Sequence, residues 1–204
     1  MTIALVVGAN GGIGSACVDE LLCKKYIVHS STSADLDLNY PERIFDLDLS
    51  NVDLLINCAG HTQGTYRGFL NNDWHNQVSQ MTVNYISNIM LLKHYVSSRE
   101  SGKYVWLNST TLDNPRPFHS IYTSSKIASK FAIDLIKQEA THISILEAKV
   151  GLTKTNLRYR NFEGTKTHSE VDATYGSELV LSPKFVAERI VEAIEQDLDL
   201  AMIK

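Results

Sequence analysis

The fold of this chain follows from one stretch near its amino terminus, IALVVGANGGIG, residues 3–14. Its first five residues are apolar and have the length of a buried strand. A glycine-rich turn follows, and after it Ile13, Cys17 and Leu21 recur at a spacing of four, as on the buried stripe of a helix. A strand, a glycine turn and a helix in succession predict the first βα unit of a parallel sheet.

The glycine turn has the composition of an anion-binding turn. Backbone N–H groups at a helix N-terminus hold a pyrophosphate, and glycine lets the phosphates approach the backbone closely. The spacing fits both GxxxGxG and GxxGxxG. A tight turn without a ligand is the alternative, but its place between the first strand and the first helix favours a dinucleotide site. The predicted site residues are Gly8, Asn10, Gly11, Gly12, Ile13 and Gly14.

Strand and helix patterns alternate along the rest of the chain. They predict a single-domain, Rossmann-type, doubly wound parallel α/β sheet over residues 1–204, with helices on both faces. Further strands are predicted at 26–30, 35–38, 52–56, 104–107, 143–148 and 200–203, and helical segments at 41–49, 72–98, 120–141 and from Pro183 onward, capped by Ser182. The strand at 35–38 leaves no room for a normal crossover helix. Residues 152–181 are polar and poorly periodic, which predicts a lid or substrate loop.

The composition limits the classes of function. A chain of 204 residues that is 44% hydrophobic can bury one core, and its charge of −4 with scattered basic residues predicts no nucleic-acid partner. The first apolar run is too short to span a bilayer, so we expect no membrane insertion. Three cysteines, an odd number, argue against a disulfide scaffold and for a reducing cytoplasm. The seven histidines show no HxxxH or HExxH spacing, so no metal is predicted.

Proton-transfer chemistry is indicated by Tyr122-Thr123-Ser124-Ser125-Lys126, with Ser109 thirteen residues upstream of Tyr122. Residues four apart on a helix share a face, so the Lys126 ammonium is expected beside the Tyr122 phenol. A neighbouring cation favours the phenolate and would lower the pKa of Tyr122 towards neutrality. YxxxK alone is common on solvated helix faces, so the motif indicates catalysis only when other motifs accompany it.

With the motifs that accompany YxxxK, the chain resembles the short-chain dehydrogenase/reductase family over about residues 1 to 155. The matching motifs occur in the family's order: the glycine turn, Asn57-Cys58-Ala59-Gly60, Asn84, Ser109, and Tyr122 with Lys126. The resemblance implies that Tyr122 is the general acid or base and that Ser109 binds the substrate oxygen. It also implies that Lys126 binds the nicotinamide ribose and lowers the Tyr122 pKa, and that Asn84 holds a relay water. The cofactor would supply the hydride.

Further cofactor contacts are implied by position in the family pattern. They are Asp37 and Leu38 beside the adenine, Asn57, Ala59 and Gly60 after a buried strand, and Gly151, Thr153 and Thr155 near the carboxamide. Val150-Gly151 replaces the family's usual Pro-Gly. Ser30 and Ser31 are predicted to end the second strand, where a carboxylate would repel a 2′-phosphate. Their hydroxyls favour NADP(H) over NAD(H), although Asp35 could still reach a ribose.

The lid segment carries four cations, Lys154, Arg158, Arg160 and Lys166, which suggest recognition of an anionic substrate. Carboxylates are interspersed among them: Glu163, Glu170, Asp172 and Glu178. The mixture favours a solvated mixed-charge face over an anion site.

The leading hypothesis is an NAD(P)(H)-dependent oxidoreductase that interconverts a small-molecule carbonyl and alcohol. The usual dimer surfaces of the family imply a homodimer through the helices around Asn84 and Tyr122. One alternative is a dinucleotide-binding regulator or scaffold without turnover, which the compressed second crossover makes conceivable. Another is a sugar-nucleotide epimerase or dehydratase, suggested by the GxxGxxG spacing but disfavoured by the roughly fifty residues after Gly151.

Overall fold

A six-stranded parallel sheet organises the computed structural model, which describes residues 1–174, 176 and 179–204. The strands are β1 (Ile3–Val7), β2 (Ile27–Ser31), β3 (Leu54–Asn57), β4 (Gly102–Ser109), β5 (Ile143–Val150) and β6 (Leu200–Ile203). Their order is β2-β1-β3-β4-β5-β6. The chain runs outward in one direction from β1 and in the other from β3, which opens a crevice at the carboxyl ends of these two strands. The predicted fold class is confirmed.

The helices cover both faces of the sheet. They are α1 (Gly12–Cys23), α2 (Trp74–Met81), α3 (Ser87–Ser98), α4 (Ser120–Glu139), α5 (Asn156–Arg160), α6 (His168–Thr174) and α7 (Pro183–Glu195). The predicted start of α7 is confirmed, since the Ser182 Oγ accepts a hydrogen bond of 3.1 Å from the Phe185 N–H. None of the helices in the described part of the chain combines the length and apolarity needed to cross a membrane.

The strands contribute side chains to two hydrophobic clusters, one on each face of the sheet. Alternate β1 side chains point to opposite faces: Val6 packs with α1 and α7, while Val7 packs with α3 and α4. Tyr95 of α3 and Trp106 of β4 are among the fully buried side chains. Burial on both faces explains why the central strands β1 and β3 are nearly continuous apolar runs instead of alternating ones.

The predicted strand at 35–38 is wrong. Asp35 accepts hydrogen bonds from the Thr32 N–H and hydroxyl, both at 2.8 Å, which closes a tight turn directly after β2. Leu36 and Leu38 are buried with Ile44, so their alternation marks a loop anchored in the core. The expected helix after Pro41 is a short 3₁₀ segment, Pro41–Asp46. β2 is therefore an edge strand of the sheet.

The lid segment, 152–181, is more ordered than its sequence indicated. It contains α5 and α6 and returns to the body of the protein through a β-bridge between Thr153 and Leu181. Phe162 and Val171 are buried in a cluster of their own. Helices of one or two turns are too short to give a recognisable period. Tyr175, Ser177 and Glu178 lie outside the described residues, so the predicted contribution of Glu178 is not described.

The glycine turn depends on Gly14, the third residue of α1. A Cβ at Gly14 would lie 2.2 Å from the Gly8 carbonyl oxygen, whereas a Cβ at Gly60 would meet nothing closer than 3.8 Å. We expect Gly14→Ala to lower the free energy of unfolding by about 3 kcal/mol or more, because backbone must shift. We expect Gly60→Ala to change it by less than about 1 kcal/mol. Urea denaturation of both variants measures this, and equal stabilities would contradict it.

Candidate active site

Two adjoining cavities open at the carboxyl ends of the central strands. The smaller is about 230 Å³ and the larger about 460 Å³. The two share part of one wall, formed by Ile13, Cys58, Ala59, Gly60, Thr155 and Leu157. Together they form one crevice at the position where open α/β sheets bind ligands.

The glycine turn forms one wall of the larger cavity. All of the predicted turn residues line it: Gly8, Asn10, Gly11, Gly12, Ile13 and Gly14. Gly8 has a φ of 77°, a left-handed conformation that favours glycine. The N-terminus of α1 faces the cavity, so its unpaired N–H groups and helix dipole make this wall attractive to an anion.

The end of the larger cavity beside β2 differs partly from the prediction. Asp37 and Leu38 line it as expected, but Thr32 and Ser33 are the polar lining residues next to β2. Ser30 and Ser31 are not among the described lining residues, because β2 extends through Ser31, and their role as cofactor contacts stays a prediction. The Ser31 carbonyl instead accepts hydrogen bonds from the Gly8 and Ala9 N–H groups at 2.9 and 3.1 Å, which fixes the glycine turn against β2.

Asn57 supports the loop that lines the crevice but is not itself among the described lining residues. Its Nδ2 donates to the Asn88 Oδ1 at 2.9 Å, and its Oδ1 accepts from the Ala59 N–H at 3.1 Å. The buried Asn57 therefore holds the loop after β3, while Ala59 and Gly60 line the crevice as predicted. Its role as a cofactor contact stays a prediction, and the structure shows it supporting the loop that lines the crevice.

The smaller cavity brings together most of the predicted catalytic residues. Ser109, Tyr122 and Lys126 line it, with Gly151, Thr153 and Thr155 nearby. The Ser109 Oγ accepts hydrogen bonds from the Thr111 N–H at 3.2 Å and the Thr111 hydroxyl at 2.9 Å. A hydroxyl has two acceptor positions and one proton. With both acceptor positions used locally, Ser109 is oriented to donate its proton.

The electrostatics of Tyr122 differ from the expectation. Burial raises the pKa of Tyr122, and the nearby Ser109 hydroxyl only partly opposes this shift. The Lys126 Nζ lies 5.9 Å from the centre of the Tyr122 ring and donates a 2.8 Å hydrogen bond to the Leu107 carbonyl. The predicted lowering of the Tyr122 pKa is wrong here, because burial outweighs the hydrogen bond from Ser109. Burial also lowers the pKa of Lys126 to about 8.

Asn84 connects the crevice loop to α4 and is not among the described residues lining either cavity. It sits in a π-helical segment, Thr82–Ile86. Its side chain accepts from the His61 N–H and donates to the His61 carbonyl, both at 2.8 Å, and donates to the Ser125 Oγ at 3.1 Å. The Asn84 carbonyl accepts from the Ser129 hydroxyl at 2.8 Å. Asn84 thus ties the loop at His61 to the helix that carries Tyr122 and Lys126.

One lining residue, His119, was not found from the sequence, and two of the four lid cations line the cavities although a solvated face was favoured for them. His119 is buried beside Tyr122 in the smaller cavity, and burial together with Arg116 lowers its pKa to about 4, so its imidazole is neutral near pH 7. Arg158 lines the same cavity and pairs with Asp172 at 2.6 Å. Arg160 lines the larger cavity. No local pattern in the sequence distinguishes these residues from solvated ones.

The lid cations therefore divide between cavity and solvent. Arg158 is only 6% exposed, so the expectation of a solvated mixed-charge face is wrong at that position, whereas Lys154 and Lys166 are exposed. In the part of the chain that the structure describes, no group of three or more His, Cys, Asp or Glu side chains is arranged to hold a metal ion. The crevice thus combines an anion-binding turn, a protonated phenol, a hydroxyl donor and a buried amine.

Comparison with protein families identifies the class of protein to which the chain belongs. A family model described as short chain dehydrogenase matches residues 42–166, which is more than half of the 204-residue chain. The chain therefore belongs to the short-chain dehydrogenase family. The match begins beyond the glycine turn and the tight turn at 32–35, the part of the chain where the second crossover is shortened. No curated protein sequence matches the chain.

Solved structures share the fold at low sequence identity. A small-chain dehydrogenase in complex with NADPH is 18% identical with a TM-score of 0.84, covering 100% of this chain and 96% of that chain. The closed form of serine dehydrogenase complexed with NADP+ is 17% identical with a TM-score of 0.81, covering 95% and 89%. A short-chain dehydrogenase from Sphingobium yanoikuyae in complex with NADPH is 17% identical with a TM-score of 0.75, covering 99% and 87%.

The low pKa of Lys126 predicts a pH-dependent contribution to stability. Between its pKa of about 8 in the folded protein and its ordinary value of 10.5, the unfolded chain binds more protons. The penalty for burying the ammonium is therefore complete below pH 8 and is relieved as the pH rises towards 10.5. Relative to Lys126→Met, the wild type should gain about 2 kcal/mol of unfolding free energy between about pH 7.5 and about pH 9.5.

Urea denaturation of both proteins at the two pH values measures this difference. Comparing the wild type with Lys126→Met removes the contributions of other titrating groups, and the lost hydrogen bond to Leu107 affects the variant equally at both pH values. Parallel pH profiles would contradict the lowered Lys126 pKa.

Proposed function

We propose that this protein is an NAD(P)(H)-dependent oxidoreductase that interconverts a carbonyl and an alcohol on a small molecule. One observation carries the proposal: Ser109, Tyr122 and Lys126 line a cavity that is continuous with the cavity at the glycine turn. The arrangement would place proton-handling groups next to the reactive end of a dinucleotide bound at the turn. Membership of the short-chain dehydrogenase family supports the same reaction class.

The residues of the crevice fit a dinucleotide. The glycine turn would hold the pyrophosphate, Asp37 and Leu38 would lie beside the adenine, and Lys126 would meet the nicotinamide ribose. Thr153 and Thr155 line the crevice after Gly151, where the resemblance places the carboxamide. A nicotinamide cofactor, when bound, supplies or accepts the hydride.

The adenosine end favours NADP(H) over NAD(H). Thr32 and Ser33 line the cavity there, and their hydroxyls can donate to a 2′-phosphate. Asp35 accepts two hydrogen bonds from Thr32 and is not among the described lining residues, so its carboxylate is directed away from the ribose position. The three similar structures named above were solved with NADP(H), which is consistent with this preference.

Side chains of the protein would donate the proton that accompanies the hydride. Burial keeps the Tyr122 phenol protonated near neutral pH, so it can donate its proton to the carbonyl oxygen as the carbonyl is reduced. The Ser109 hydroxyl would donate a hydrogen bond to the same oxygen. The Lys126 ammonium would stabilise the tyrosinate left behind and orient the cofactor ribose. Asn84 would position the His61 loop and α4, and any relay water would be held next to this network.

Removing the Tyr122 hydroxyl tests the proposal. We expect Tyr122→Phe to reduce kcat by about 10²–10⁴-fold, since it lacks the proton donor, while NADPH affinity stays within about twofold. Steady-state reduction of a carbonyl panel and fluorescence titration of NADPH measure the two effects. Tyr40→Phe is the matched control, because Tyr40 is 55% exposed and is not among the described lining residues of either cavity.

The alternatives give different results in the same assays. Tight NADPH binding without turnover of any carbonyl or alcohol would favour a regulator or scaffold. Conversion of a sugar nucleotide without net consumption of cofactor would favour an epimerase or dehydratase. Equal turnover by the wild type and Tyr122→Phe would remove Tyr122 from the mechanism.

We also propose a homodimer through the helices around Asn84 and Tyr122. Three apolar side chains, Ile127, Phe131 and Leu135, follow one another along α4 at a spacing of four and are 51, 69 and 47% exposed. Val78 of α2 and Ile86 add exposed apolar surface near the same helices. A stripe of this kind on a two-helix surface is typical of self-association.

The oligomeric state can be changed at this stripe. We expect Phe131→Glu to convert a dimer to a monomer at micromolar concentration, because two charges would be buried at a symmetric interface. Leu22→Glu, on the opposite face at α1, should leave the dimer intact. Light scattering after gel filtration measures the mass of each. A monomeric wild type would refute this interface.

A further inference from the structure

The lid segment is docked onto the loop that follows β3. The Gly64 N–H donates to the Arg160 carbonyl at 2.8 Å, and the Tyr66 N–H donates to the Asn161 carbonyl at 3.0 Å. The Tyr66 and Phe162 rings stack with centres 3.8 Å apart. Backbone hydrogen bonds and an aromatic stack therefore hold the end of α5 at a defined position over the crevice.

This docking brings one face of α5 to the larger cavity. Thr155, which immediately precedes α5, lies against the glycine turn, since a Cβ on Gly12 would be only 2.8 Å from its methyl group. Asn156 and Arg160 are four residues apart, share a helix face and both line the cavity. The first turn of α5 thus begins beside the glycine turn and directs Arg160 into the same crevice.

Arg160 differs from its neighbour Arg158 in its electrostatic surroundings. Arg158 is buried and paired with Asp172, whereas Arg160 is exposed and makes no ion pair with the residues that the structure describes. Near Arg160 the cavity is lined by His61 and Asp37. Asp37 already accepts hydrogen bonds from the Asn39 N–H and side chain at 2.9 Å. A cation is therefore held at the cavity wall without a neutralising partner among those residues.

We propose that Arg160 binds the pyrophosphate of the dinucleotide from the lid side, opposite the N-terminus of α1. The inference rests on the proposed function and adds a ligand contact from the lid. A guanidinium can form two parallel hydrogen bonds to phosphate oxygens, so it complements the backbone N–H groups on the facing wall. The position proposed above for the 2′-phosphate is instead at Thr32 and Ser33, which line the cavity next to β2. The lid is then part of the cofactor site.

Cofactor titration of Arg160 variants tests the assignment. The fluorescence of NADPH and of NADH is titrated separately with the wild type, Arg160→Ala, Arg160→Gln and Arg160→Lys. We expect the alanine and glutamine variants to bind both cofactors about 10-fold more weakly, and the lysine variant about 3-fold more weakly. Lys154→Ala, a lid cation that is not among the described residues lining either cavity, is the matched control and should bind like the wild type. Circular dichroism and Tm establish that each variant is folded.

Competition by ADP, which carries a pyrophosphate, and by 2′-AMP, which carries a 2′-phosphate and no 5′-phosphate, separates the phosphates. Loss of ADP affinity with retained 2′-AMP affinity in Arg160→Ala supports the proposal. A loss confined to NADPH and 2′-AMP would overturn it in favour of a 2′-phosphate contact, and unchanged binding of both cofactors would overturn it outright. If Arg160→Ala is unfolded, Arg160→Gln decides by the same criteria. A wild type that binds neither NADPH nor NADH would overturn the proposed function and this inference together.

Discussion

The crevice depends on how closely the backbone of α1 can approach the end of β1. A side chain at Gly14 would overlap the Gly8 carbonyl, and a Cβ at Gly8 would lie 2.8 Å from the Ala59 nitrogen. These two contacts bring β1, α1 and the loop after β3 together without intervening side chains. The helix N-terminus then faces the open side of the sheet, and the residues at the ends of β4 and α4 complete the second cavity. Removing that close approach would separate the glycine turn from Ser109, Tyr122 and Lys126.

Much of this arrangement follows from local signals in the sequence. β1 and β6 have the predicted bounds, and the Ser182-Pro183 pair begins α7, because strand patterns and helix caps act over a few residues. Ser109, Tyr122 and Lys126 could be assigned to one site because a strand terminus and a helical spacing of four each fix the position of a side chain. The sheet edge at which they meet was predictable from the parallel βα order alone.

The remaining features depend on tertiary packing. Leu36 and Leu38 alternate like residues of a strand but are buried from a loop. β2 ends one residue later than predicted, and the polar residues that line the cavity beside it are Thr32 and Ser33 instead of Ser30 and Ser31. The raised pKa of Tyr122 results from burial of its phenol, which a spacing of four in the sequence does not indicate. Arg158 and Arg160 look alike in sequence, yet the docking of α5 buries one and turns the other to the cavity.

The shortened second crossover also affects how the protein behaves among its own copies. β2 ends the sheet, so one side of its backbone is unpaired and offers a template on which another chain could add a strand and begin to aggregate. The edge is only five residues long, His29 and Ser30 on it are exposed, and Lys24 and Lys25 precede it. A short polar edge beside two charges is a poor template. Substitutions that make this strand longer or more apolar would therefore reduce solubility at high concentration before they affected the crevice.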